Sequence, residues 1–303
     1  DNDYGGAALR WSWAGELAGQ PFELSAGANV DRQRQHRRGY ENFVGTSMGV
    51  RGALRRNERN QVGNADQYAQ AWWQLAPRWS LLAGARHSRV NFRSDDAYVT
   101  ATNPDDSGSV VYERTTPVAG LVFAPSDALR LYASLGRGFE TPTFNEVGYR
   151  ADGGAGPAFD LRPATSRNAE LGLKWRGDAG TRIEAALFRA DTDDELAVAR
   201  NVGGRSSFRN VGAARRQGVE MQADLPLSEA WHLQAAYTWL DATFRDSFPI
   251  CTASGCTTPV VQVAAGTRIH NVAGQFALSD TALAHLAVEK GDKLGTVIVD
   301  CAR

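Results

Sequence analysis

The sequence is short of lysine, of long apolar runs and of cysteine. Lys174, Lys290 and Lys293 are the only lysines among 33 basic residues in a chain of 303. No stretch approaches the roughly 18 uninterrupted apolar residues of a membrane-spanning helix, which excludes a helical membrane protein. No basic region followed by an apolar core marks the N-terminus as an export signal, so an exported protein of this sequence is expected as a mature or incomplete chain. Three cysteines are too few for a disulfide scaffold. A net charge of −1 gives no general attraction to nucleic acid, and none is expected as a partner. The five histidines form no H-E-x-x-H, and there is neither a G-x-S-x-G elbow nor a G-x-G-x-x-G between strand and helix. No catalytic residue, metal site or cofactor is therefore expected.

What is present is globular in balance. At 43% hydrophobic and 22% charged residues the chain is too apolar for disorder. Its length suits two domains or one large β domain.

The first 245 residues repeat one pattern of roughly ten-residue segments with period two. Phe22, Leu24, Ala26, Ala28 and Val30 alternate with Glu23, Ser25, Gly27 and Asn29. Leu129, Leu131, Ala133 and Leu135 alternate with Arg130, Tyr132 and Ser134, and Ala169, Leu171, Leu173 and Trp175 with Glu170, Gly172 and Lys174. Val219, Met221, Ala223 and Leu225, then Trp231, Leu233, Ala235, Tyr237 and Trp239, do the same. Such alternation predicts strands with one apolar and one wet face.

The connections alternate too. Short ones fall near Gly15–Gln20, Pro77–Arg78, Pro125–Ala128, Gly177–Gly180 and Pro226–Ala230. Long polar ones fall near Asp31–Asp66, Asp95–Ser109, Glu140–Thr165, Asp193–Asn210 and Arg245–Ala265. Up-and-down hairpins with small turns at one end and large loops at the other are the layout of an all-β, antiparallel transmembrane barrel. Trp13, Phe22, Trp79, Phe123, Trp175 and Trp231 sit beside the short turns, where a girdle of rings belongs. The competing fold is a soluble β-sandwich with aromatic strand ends. Long strands, and full charges on the wet face that a dry core cannot hold, weigh against it. About eleven or twelve strands are expected over residues 1–266.

Residues 267–303 break the pattern. Ser279 and Asp280 cap an Ala/Leu-rich helix expected over Thr281–Lys290, Gly291 ends it, and Thr296–Val299 reads as a short strand.

The most specific stretch is Leu131–Glu146, LYASLGRGFETPTFNE, in which Gly136 and Gly138 thin a strand and Pro142 fixes its exit. With Arg137, Phe139, Glu140, Thr143, Asn145 and Glu146 it resembles a segment of the TonB-dependent outer-membrane receptors, siderophore-receptor type, although Val147 replaces the usual Leu. Tyr68–Trp73, Leu82–Arg86, Ala169–Leu173, Asn210–Gly212 with Gln217–Glu220, and Ala236–Leu240 match in the same order. The resemblance implies a bacterial outer-membrane importer of metal chelates, most often ferric siderophores, energised by TonB through a plug inside about twenty-two strands. It gives this chain about half of those strands and places the plug and the TonB-contacting segment outside it. The tail, through Ala284, His285 and Gly295–Val297, resembles the C-terminus of medium-chain zinc-type or quinone-reductase dehydrogenases, with Thr296 where that family has Lys. A fusion or frameshift near Thr267–His270 is the expected origin.

The site candidates follow. Arg32, Arg34, Arg37 and Arg38, with Arg51, Arg55, Arg56 and Arg59, crowd the first long connection, and Arg137 and Arg150 flank the motif. Guanidinium forks bind carboxylates and phosphates bidentately. They suit an anionic ferric chelate at the outer mouth, lipopolysaccharide phosphates, or plain solvation. Cys251 and Cys256, in a loop outside the cell, are expected to pair as a local disulfide. His232 is expected on a barrel wall, and the acid pairs Asp95–Asp96, Asp105–Asp106 and Asp193–Asp194 as solvated loop charge. A structural or adhesive barrel, and a truncated fragment without function, are the alternative readings.

Overall fold

The computed structural model describes residues 2–154, 156–202, 205–228, 231–252, 255–257, 262–268, 274–277 and 297–300. The strands in chain order are β1 (Asn2–Leu17), β2 (Gln20–Tyr40), β3 (Phe43–Val44), β4 (Ser47–Met48), β5 (Leu54–Ala76), β6 (Trp79–Asp96), β7 (Gly108–Phe123) and β8 (Leu129–Glu140). They continue as β9 (Ala164–Arg176), β10 (Arg182–Asp193), β11 (Leu196–Val202), β12 (Arg205–Asn210), β13 (Ala214–Ser228) and β14 (Trp231–Phe244). The last are β15 (Ile250–Thr252), β16 (Gly255–Thr257), β17 (Gln262–Arg268), β18 (Gly274–Ala277) and β19 (Val297–Asp300). Eleven of them make one antiparallel sheet, each strand beside the next large strand in the chain: β1, β2, β5, β6, β7, β8, β9, β10, β13, β14, β17. Among the described residues no helix is long and apolar enough to cross a membrane; the crossing elements are strands.

The register sorts every side chain to one of two faces. One face carries Trp11, Trp13, Leu24, Ala26, Leu121, Leu135, Leu171, Leu187, Met221 and Trp239 in adjoining rows. Its large side chains are bare: Leu135 is 66% exposed and Leu171 58%. A water-soluble sheet with this much naked hydrocarbon would aggregate; in lipid it is the stable face. The opposite face holds ion pairs and polar contacts. Arg86 binds Asp66, which is only 2% exposed, and Asn64 donates to the same carboxylate at 2.6 Å. On that face the Tyr132 ring crosses Gly172 so closely that a Cβ there would collide with it, and its hydroxyl reaches Glu170 at 2.5 Å.

The short turns are as tight as their sequences suggest. Ala18 and Gly19 both have positive φ, the requirement of a type I′ hairpin. Trp13 meets Phe22 at 5.9 Å and Trp79 stacks on Phe123 at 4.5 Å beside these turns.

The long connections differ from expectation in extent. Asp31–Asp66 is mostly ladder, because β2 and β5 stay paired from Phe22↔Trp73 up to Tyr40↔Leu54, leaving residues 41–53 as the loop. Above the membrane a strand has water on both sides, so it loses its hydropathy rhythm while keeping its backbone bonds. Within the next-to-last long connections, β11 and β12 pair as a hairpin and β11 runs parallel to β15 through Arg200↔Cys251. The strand expected at Thr296–Val299 appears as β19, parallel to β18. The helix expected over Thr281–Lys290, with His270, His285 and Cys301, lies outside the described residues.

Candidate functional site

The loop after the motif packs on the polar face, against residues of β5, β6 and β7. Residues 141–163 leave β8 through Pro142, which is fully buried. Thr143 and Glu146 then bond reciprocally: the Thr143 backbone N–H donates to the Glu146 carboxylate at 2.7 Å, and the Glu146 N–H donates to the Thr143 hydroxyl at 3.4 Å. This is a capping box closing a single turn, completed by the Gly148 N–H donating to the Asn145 carbonyl at 3.4 Å. The P-T-x-x-E residues thus act locally, aiming the chain back over the sheet.

That turn delivers an apolar knot onto the wall. Val147, Ala158 and Leu161 are buried together, with Phe144, Leu196 and Phe208 packed around them. Phe144 meets Phe92 of β6 edge-on at 5.3 Å, Phe92 meets Tyr112 of β7 at 5.9 Å, and the Tyr112 hydroxyl donates to the Leu161 carbonyl at 2.9 Å. Phe92 and Tyr112 lie on the polar face, in register with Val62 and Val90. Burying side chains of this size is worth about 1.5–3 kcal/mol each.

Beside the knot lies a small cleft lined by Arg37, Arg56, Glu58, Asn60, Ser94, Phe144, Val147, Gly148, Pro157 and Phe159. Arg56 spans it, pairing with Glu58 at 2.5 Å and donating to the Tyr149 hydroxyl at 3.1 Å and the Gly148 carbonyl at 3.2 Å. Its guanidinium also lies 4.8 Å from the Tyr149 ring centre, within cation–π range. Partial burial, with the Asp96 and Glu58 charges nearby, pushes the Asp106 carboxyl above its ordinary value. The cleft is therefore mixed in charge, lined by two guanidinium groups and the Glu58 carboxylate, with Asp96 across from Glu58 in the β5–β6 register.

Three further devices hold the neighbouring loops. The Asn210 side chain donates to the carbonyls of Arg162 and Asp194 and accepts from the Arg162 N–H, each at 2.8 Å. Gly212, at φ +87°, sits against Asp246 where a Cβ would clash. Cys251 and Cys256 form a disulfide across the β15–β16 hairpin, S–S 2.06 Å.

The candidate arginines do not gather at one place. Arg37 alone of the β2 group points to the polar face, opposite Glu58. Arg32, Arg34 and Arg38 occupy even positions continuous with Leu24 and Val30, on the apolar side of the wall. Arg137 shares the row of Arg167 beyond Leu135, also on that side. Arg150 stays in its own loop, bound to Asp152 at 2.6 Å. Gly136 and Gly138 face the polar side, Phe139 the other, and Glu140 ends β8 on the polar side. Tyr149, Phe92 and Tyr112 lie outside the residues singled out from sequence, although odd-even parity would have placed Phe92 and Tyr112 on the wet face, where two aromatics in a polar row are a detectable signal.

The comparisons with known proteins agree with this architecture. Residues 1–273 match the family described as TonB dependent receptor-like, beta-barrel. The vitamin B12 transporter BtuB of Vibrio vulnificus is 27% identical over 207 residues, covering 59% of this chain and 33% of the relative. The probable TonB-dependent siderophore receptor PiuA of Acinetobacter baumannii is 24% identical over 220 residues, covering 67% of this chain and 27% of the relative. Among solved structures, the PiuA receptor superposes with TM-score 0.65 at 17% identity, over 85% of this chain and 41% of that one. The ferric citrate transporter FecA does so with TM-score 0.65 at 19% identity, over 81% and 36%. The chain spans about a third or less of the length of these curated relatives, which are transporters and receptors. An apolar belt on bare strands, a polar inner wall and a loop folded onto it from the long-loop end, together with the family match, identify the chain as a member of the TonB-dependent receptors and part of their outer-membrane β-barrel.

Proposed function

We propose that this wall belongs to an importer that takes up a metal chelate, most specifically a ferric siderophore, with energy from TonB. The observation that carries the reading is the docking of residues 141–163 onto the inner wall beside Arg37 and Arg56. An anionic chelate reaching the mouth would meet two guanidinium groups and an aromatic ring at the point where the loop narrows the path. The functions of relatives support the class: a ferrioxamine B receptor of Salmonella typhimurium and the probable siderophore receptor PiuA are both similar to this chain. The plug and the TonB contact belong to the whole receptor, no step of the transport is chemical, and we read the chain as non-enzymatic, with a tail apart from the barrel that begins after Arg268 and not at Thr267, since Thr267 and Arg268 still pair with Trp239 and Thr238 of β14.

The test is uptake of radiolabelled iron, and of radiolabelled cobalt for vitamin B12, in an iron-starved strain relying on the receptor that carries this chain. Ferric hydroxamate, ferric catecholate, ferric citrate and vitamin B12 would be supplied in turn. Uptake of one ferric chelate, reduced at least about tenfold by Arg37→Ala with Arg56→Ala, is expected, since each lost charged hydrogen bond is worth about 1.5–3 kcal/mol. Uptake of vitamin B12 alone, or iron uptake indifferent to both substitutions, overturns the siderophore reading.

A further inference from the structure

We propose that Arg32, Arg34, Arg38 and Arg59 form an outward site that holds the phosphorylated glycolipid headgroups of the outer leaflet. The proposal uses the membrane placement of the barrel and is independent of what the receptor imports. On the lipid face β2 reads Phe22, Leu24, Ala26, Ala28, Val30 and then, without a break in register, Arg32, Arg34, His36, Arg38. Phe22 to Val30 is nine residues, within the roughly 9–11 that a tilted strand needs to cross the apolar band. The guanidinium groups begin where hydrocarbon ends. β5 adds Arg59, directly across from His36, and places Gln61 across from Arg34.

The four arginines are exposed and almost unengaged. Arg32 donates to Gln61 at 2.5 Å, while no ion pair or hydrogen bond holds Arg34, Arg38 or Arg59 among the described residues. The acids facing the strip are few. Asp3 lies across from Arg34 on β1, and Asp95, across from Arg59 on β6, is taken by Arg93 at 2.8 Å. His36 is bound to Asn57 at 2.8 Å. This leaves a patch of positive charge on the lipid side of the wall, with a strand's thickness between it and the cleft of Arg37 and Arg56. A chelate inside the barrel does not reach it. Phosphate monoesters on a sugar headgroup lie at its height, and planar forks take such groups bidentately.

The experiment measures lipid retained by the purified receptor in detergent micelles. Three probes are used: rough lipopolysaccharide carrying its lipid A phosphates, the same lipid after phosphatase treatment, and inorganic phosphate. Wild type is expected to retain the phosphorylated lipid and not the dephosphorylated one. The variant R32Q/R34Q/R38Q/R59Q should lose at least about tenfold in retention, since each arginine near an anionic surface adds to the attraction. Arg78→Gln with Arg176→Gln, at the short-turn end, should retain as wild type does. Equal retention by the quadruple variant, equal binding of dephosphorylated lipid, or displacement of the lipid by millimolar inorganic phosphate each overturns the proposal. If the quadruple variant loses its heat-modifiable gel shift and so has not folded, the wild-type comparison of the two lipids decides alone.

Discussion

Asp152 shows how the outer loops organise themselves with single residues. Its carboxylate takes the Arg150 guanidinium at 2.6 Å and the Gly154 N–H at 2.9 Å. The Arg150 bond is the main reason its pKa is held down to about 2. A depressed carboxylate stabilises the fold above its ordinary value near 3.8 and stops doing so as pH falls toward 2. The turn at residues 150–154 should therefore loosen between about pH 4 and pH 2, and Asp152→Asn should loosen it at neutral pH. Proteolysis of this loop in folded receptor, followed against pH, checks both; cleavage that rises only on the alkaline side contradicts the assignment. Among the arginines singled out from sequence, parity alone would have separated Arg37 from Arg32, Arg34 and Arg38. It was hidden because that stretch reads as a loop until the β2–β5 register is known.

At the level of elements, the capping box of Thr143 and Glu146 and the knot of Val147, Ala158 and Leu161 make residues 141–163 a docked piece with its own core. Leu161→Ala removes a side chain only 6% exposed, and such truncations cost about 2–5 kcal/mol. The cost should appear as faster hydrogen exchange across residues 141–163 while the strands keep their protection. Equal speeding of exchange in β7 and β8 would mean that the knot supports the wall itself. The strands were legible from alternation, and the motif from its residues; the docking was not, because Phe92 and Phe144 meet across fifty-two positions of sequence and nothing local records it.

For the whole molecule, the decisive property is that one side of the sheet is oil and the other is water with charges. Leu171, near the middle of the apolar band between Trp175 and Arg167, tests it. Leu171→Arg should lower folding stability in lipid by about 2–4 kcal/mol, whereas Ser134→Arg, on the opposite face beside Glu170, should cost far less. Urea titrations of the receptor in bilayers measure the difference, and equal costs would mean that both faces meet water. Hairpin order and sidedness were readable because lipid enforces them residue by residue. The reach of β2 and β5 past the membrane was not, since no solvent boundary marks a strand that is wet all round.

The knot above the wall has a last consequence. It holds to the polar face chiefly through hydrocarbon contacts, which ions do not screen. A cell moved from fresh water to brine would keep that loop seated, although its guanidinium groups would feel the change. Cold, which weakens apolar contacts, would ease it instead.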